Sequence, residues 1–179
     1  MFKTIVLALC GLLASASTKF EIPAEAFKAA IPSDSLVKMQ LHGTRVGSVA
    51  SKVKWSECPS QHLYDVATGT AKPNPPTVGD WVDLNLDVIL NNDANIKGNY
   101  IAVKFTAVGS TSPIDLYAQD FNSGKPGNYE AGDEYTDTLQ WLVPSFAPLG
   151  HYNVKITVHG PNIDTDNYVC LFADFDIHN

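Results

Sequence analysis

Trp81-Val82-Asp83-Leu84-Asn85-Leu86-Asp87-Val88-Ile89-Leu90 is the stretch that decides the fold. Val82, Leu84, Leu86, Val88 and Leu90 take every second position, with mostly polar residues between them. Successive side chains of a strand point to opposite faces, so this spacing gives one apolar and one polar face. Asn91-Asn92-Asp93-Ala94-Asn95 follows as a turn, because Asn and Asp tolerate left-handed backbone.

Working outward, the alternation recurs. Ile101, Val103 and Phe105 alternate with Tyr100, Ala102 and Lys104. Ile114 to Ala118 and Thr138 to Val143 read as short strands beside Pro113 and Pro144. Val154, Ile156 and Val158 alternate with Lys155, Thr157 and His159, and Leu171, Ala173, Phe175 and Ile177 close the chain. Turn residues separate these runs, and no long amphipathic helix interrupts residues 55–179. The pattern predicts an all-β fold, an antiparallel β-sandwich.

The ends of the chain read differently. Met1-Phe2-Lys3, the apolar run Thr4 to Leu13 and Ala14-Ser15-Ala16 form a secretory signal peptide over residues 1–16. Its apolar run is too short to span a bilayer. Cleavage leaves eleven basic and nineteen acidic residues, a charge of −8. Residues 17–54 carry +3 and residues 55–179 carry −11. This asymmetry divides the mature chain into a basic N-terminal arm or pro-segment, 17–54, and an acidic domain, 55–179. Ala24 to Ile31 has a short helical pattern, stopped by Pro32.

Cleavage also removes Cys10 and leaves Cys58 and Cys170. Two cysteines in a secreted chain are expected to pair, here tying the first strand of the domain to the last. Two free or metal-binding thiols are the alternative, but neither cysteine has the C-x-x-C or H-x-x-x-H company a zinc site requires. No metal or other cofactor is expected. The acidic balance disfavours nucleic acid, whose phosphates need clustered Lys and Arg. Composition is otherwise that of a globular chain, 45% apolar and 17% charged, which excludes wholesale disorder.

An enzyme is not expected. The chain has no G-x-S-x-G, P-loop or H-E-x-x-H sequence. His42, His62, His151, His159 and His178 are scattered, and His151 reads as a surface residue. Glu130, Asp133, Glu134 and Asp137 lack the spacing of a calcium loop and read as a solvated loop. Asp164-Thr165-Asp166-Asn167 reads as a hairpin turn.

Several features then occur in a telling order. Cys58 is followed by Pro73-Asn74-Pro75-Pro76-Thr77-Val78-Gly79 leading into the strand from Asp80. A second strand follows Ile96-Lys97-Gly98. Then come Val143-Pro144-Ser145-Phe146-Ala147-Pro148-Leu149-Gly150-His151-Tyr152 and, last, Cys170. Pro75-Pro76 stiffens one lead-in and Gly79 permits its turn; Pro148-Leu149-Gly150 serves the later strand alike. In this order, residues 55–178 resemble the ML family, the MD-2-related lipid-recognition domains. The chain is most similar to the branch of Niemann–Pick type C2 sterol-binding proteins and fungal phosphatidylglycerol/phosphatidylinositol transfer proteins. The resemblance does not reach residues 17–54. Family members commonly carry two further disulfides whose cysteines this chain lacks, so the loops around 60–70 and 119–130 depart from the family pattern.

The resemblance implies an immunoglobulin-like sandwich whose two sheets splay apart, with a lipid's apolar portion held in a cavity between them. Its walls would come from Ile101, Val103, Phe105, Leu139, Trp141, Tyr152, Val154, Ile156 and Val158, and its mouth from Ile114, Leu116 and Phe121. It further implies a monomeric carrier of sterol or phospholipid in transient contact with membranes. Such a carrier would be secreted or reside in the lumen of a lysosome or vacuole. The alternative left by the residues alone is a closed sandwich acting through its surface, as an adhesion or interaction module.

Overall fold

A computed structural model describes residues 17–30, 51–59, 64–121 and 125–177. The signal-peptide reading of 1–16, and most of the segment 17–54, fall outside them.

The decisive stretch forms strand β4 (Trp81–Leu90), and all five of its alternating apolar side chains are buried. On one side β4 pairs antiparallel with β3 (Tyr64–Lys72), on the other with β9 (Glu134–Leu142). A short strand, β1 (Thr18–Glu21), adds to the free edge of β9 in parallel, giving the sheet order β1-β9-β4-β3. The helix α1 (Ala24–Ala30) follows β1 directly.

The second sheet has the order β2-β11-β10-β6-β7. Its strands are β2 (Lys54–Glu57), β6 (Gly98–Ala107), β7 (Ile114–Phe121), β10 (Gly150–His159) and β11 (Asn167–Ile177). The alternating runs read from sequence stand here in register: Tyr152 pairs with Phe105 and Phe175, Val154 with Val103 and Ala173, Ile156 with Ile101 and Leu171. Opposite residues of neighbouring strands share a face, so these ladders build one continuous apolar wall. Two further strands, β5 (Ala94–Ile96) and β8 (Gly127–Tyr129), pair with each other.

The two large sheets bury their apolar faces against each other in one core, which is an immunoglobulin-like β-sandwich. Cys58 and Cys170 are joined, with Cα atoms 5.4 Å apart. Gly150 opens β10 with φ +151°; an added Cβ there would lie 2.5 Å from the Thr106 carbonyl oxygen and 2.9 Å from the Phe105 ring. Only glycine lets β10 start so close to β6.

Some boundaries differ from the sequence reading. β7 continues to Phe121, and a register shift opposite Val103 and Lys104 breaks its alternation. β9 begins at Glu134, not Thr138. Asp137, read as part of a solvated loop, is a correction: it sits within β9 and is 9% exposed. β9 carries it to an inward position between Tyr135 and Leu139, both fully buried.

Candidate functional site

The interior between the sheets has an aromatic end and a polar end. At the aromatic end, Trp141 of β9 meets Phe175 at 5.3 Å and Tyr152 at 5.9 Å across the sandwich. Tyr152 lies 5.0 Å from Phe105 and stacks on Phe175 at 5.9 Å. The Tyr152 hydroxyl donates to the Pro148 carbonyl at 2.8 Å. That bond is the physical content of the Pro148-x-Gly150-x-Tyr152 spacing: the ring is buried while its polar tip is satisfied by the turn four residues back. Burial pushes the Tyr152 hydroxyl's pKa far above the usual tyrosine range, so it stays a neutral donor.

At the polar end, Asn99 donates from Nδ2 to the Asp137 carboxylate, and the Thr138 N–H donates to Asp137 Oδ1 at 2.8 Å. The Tyr135 hydroxyl lies 3.3 Å from Asp137 Oδ2 and 3.4 Å from Asn99 Oδ1. Burial raises the Asp137 pKa, against these hydrogen bonds and the charge of Lys125, which favour the ionised form.

Between the two ends the walls are aliphatic. Ile101, Val103, Leu139, Val154, Ile156 and Val158 are all buried on inner faces. Of the proposed mouth residues, Leu116 is buried, whereas Ile114 and Phe121 are half-buried along β7.

The long sides of the sandwich are closed by different means. On one side Trp55 of β2 lies against Gly69 of β3, where an added Cβ would fall 2.2 Å from the indole ring. The Cys58–Cys170 bond ties the end of β2 to β11 on the same side. On the other side the outermost strands are β1 and β7, and the closing side chain is Phe20. Its ring lies 6.1 Å from Trp141 in one sheet, and 6.0 Å from Tyr117 and 6.1 Å from Phe121 in the other. The helix α1 rests on β7 nearby, and its buried Phe27 meets Phe146 edge-on at 5.4 Å. β7 is fixed from its own sheet by pairing with β6 and by an Asp120 Oδ1–His159 Nε2 contact of 2.8 Å.

Phe20 and Asn99 are members of this interior that sequence reading did not name; Phe175 was read only as part of the closing strand, and Asp137 as a loop acid. The signal for Phe20 was present in the alternation Thr18-x-Phe20-x-Ile22, all three buried. Two buried polar atoms on β1 and β9 have no hydrogen-bond partner among the described residues: Thr18 Oγ1 and Trp141 Nε1.

No protein-family model and no curated protein matches the chain. Among solved structures, it is similar to a Niemann-Pick type C2 protein from Japanese carpenter ant, with TM-score 0.48 and 10% identity over 69% of this chain and 98% of that one. It is also similar to chicken MD-1 complexed with lipid IVa, with TM-score 0.45 and 13% identity over 69% and 88%. A third likeness is to the C-terminal domain of wzt, with TM-score 0.44 and 14% identity over 77% and 83%. At these scores and identities the likenesses assign no ligand.

Proposed function

We propose that this protein binds a lipid between its two sheets and carries it, as sterol or phospholipid, from one membrane to another. The observation that carries this reading is the unequal closure of the sandwich. A continuous apolar interior, with four aromatic rings at one end, is shut on one side by a disulfide and a Trp–Gly contact. On the other, among the described residues, it is shut by the four-residue strand β1, whose Phe20 reaches rings of both sheets, with the helix α1 beside it. The ordered Pro and Gly motifs around β4 and β10, which resemble those of ML domains, support the same reading.

The energetics fit a carrier. Moving an acyl chain from water into such an interior gains roughly 0.8 kcal/mol per methylene. Ten methylenes thus give on the order of 8 kcal/mol before association costs. That is enough for binding yet compatible with release at an acceptor membrane. Catalysis has no part in the proposal, and neither does a cofactor. A secretory route to the cell exterior, lysosome or vacuole fits the signal-peptide reading and the disulfide.

Membrane contact would use the aromatic end. Val108 is 71% exposed, Phe146 44% and Trp81 39%, and the strand registers put all three at the end where Gly150 begins β10. The −11 charge of residues 55–179 opposes docking on anionic lipid at neutral pH. The carrier is taken to act as a monomer.

The complete burial of most wall residues favours a second reading, a closed sandwich working through its outer surface. Displacement of a fluorescent sterol or of a fluorescent phospholipid from the full mature protein separates the two. Saturable binding of either supports the carrier; no binding of both favours the closed sandwich.

A further inference from the structure

We propose that residues 18–22 are a displaceable plug. Phe20 holds, within the free protein, the place taken by the apolar part of a lipid, and β1 leaves the β9–β7 gap when that lipid enters. The inference rests on the lipid-binding reading above and adds to it where the ligand enters, what it displaces and what chemistry it must carry.

Strand order is the first ground. β1 is an outermost strand, so its departure leaves β9, β4 and β3 paired as they are. It has four residues, at the short end for a strand, and Pro23 just beyond it has no N–H to extend the ladder. β7, which faces it across the gap, is paired along its length with β6 and held by His159. The mobile party in this gap is therefore β1.

The second ground is what β1 buries. Phe20 and Ile22 are each 3% exposed, and Phe20 touches aromatic rings of both sheets. Removing it uncovers Trp141, Tyr117 and Phe121, an apolar slot lying between the two sheets. A lipid entering there covers the same rings again, so one apolar occupant replaces another.

The third ground is polar. Among the described residues, the plugged arrangement leaves Thr18 Oγ1 and Trp141 Nε1 buried without partners, which disfavours it. Withdrawal of β1 returns the Thr18 hydroxyl to water and frees the indole N–H for a new partner. That group is a donor only, so it calls for an acceptor oxygen. The ligand class is therefore a lipid with an ester carbonyl or hydroxyl beside its apolar portion, not a bare hydrocarbon. Because the site must first be vacated, the plug weakens apparent affinity by the fraction of time it is open.

The test uses the full mature chain with fluorescent cholesterol and fluorescent phosphatidylcholine as probes. Lys19 and Gln140 are opposite each other on β1 and β9. In the double variant Lys19→Cys with Gln140→Cys, mild oxidation links the strands, and mass and thiol counts report the link. We expect oxidation to lower probe uptake at least tenfold against the same variant before oxidation. Phe20→Ala should tighten binding several-fold, and Trp141→Phe should weaken it about fivefold, one hydrogen bond's worth. Equal uptake by linked and unlinked protein overturns the plug and leaves the lipid reading standing. Failure of the strands to link, with Phe20→Ala unchanged in affinity, also overturns it. No uptake by wild type, unlinked variant and Phe20→Ala together overturns the lipid reading, and the plug with it.

Discussion

Asp137 is the residue whose chemistry departs furthest from its sequence neighbourhood. Glu134 is exposed, yet Asp137 is carried inward by the strand and held by Asn99, Tyr135 and the Thr138 amide. Burial sets its pKa above the usual carboxylate value, so the folded protein takes up its proton before the unfolded chain does as pH falls. Its contribution to stability is greatest below the ordinary carboxylate range and is lost as pH rises through the raised value. Urea midpoints followed from pH 4 to pH 7 should therefore fall more steeply for wild type than for Asp137→Asn, which cannot ionise. Parallel curves would remove Asp137 as the source. Sequence could not single this residue out, because an acid among Glu130, Asp133 and Glu134 has the composition of a loop. The aromatic end was more legible in part: Trp141 and Tyr152 were read as facing inward and Pro148 as part of the lead-in to β10, but the bond from the Tyr152 hydroxyl to the Pro148 carbonyl was not.

At the scale of elements, β4, β6, β10 and β11 could be read because apolar residues take every second position along most of each strand, although β10 also buries Thr157 and His159 and β11 also buries Cys170 on the other face. β9 was read four residues short, its alternation broken by an inward acid. β7 was read short because its register shifts midway, so Ile114, Tyr117 and Phe121 do not fall on alternate positions. β1 went unread because its alternation, Thr18-x-Phe20-x-Ile22, is only three positions long and its parallel pairing with β9 is set by distant sequence. The cysteines were legible by count alone, and their bond spans a sequence separation of 112. A loop of that length restricts the unfolded chain strongly, so Cys58→Ala with Cys170→Ala should cost about 3–5 kcal/mol in chemical denaturation. A loss below about 1 kcal/mol would mean that the packing of Trp55 on Gly69 closes that side unaided.

At the scale of the whole molecule, the proposed carrier would meet a membrane in a way that depends on pH. Residues 55–179 carry −11 at neutral pH, and the exposed Val108 and Phe146 stand at one end. Protonating part of its carboxylates weakens repulsion from anionic lipid. Transfer of fluorescent lipid between anionic vesicles is expected to be faster near pH 5 than at pH 7. Replacing Val108 and Phe146 by Ser should slow it several-fold without altering the amount of lipid bound. Equal rates at both pH values, or no effect of the replacements, would count against docking at this end. The β-sandwich was legible from periodicity, whereas its unequal closure was not, since it depends on which strands end as edges. The central claim is a lipid between the sheets. Native mass spectrometry of gently purified mature protein, followed by lipid extraction, tests it most directly. A bound lipid bearing an ester or hydroxyl oxygen, near one per protein, is expected. Protein of bare polypeptide mass, with no extractable lipid, that also fails to take up added sterol or phospholipid would contradict it.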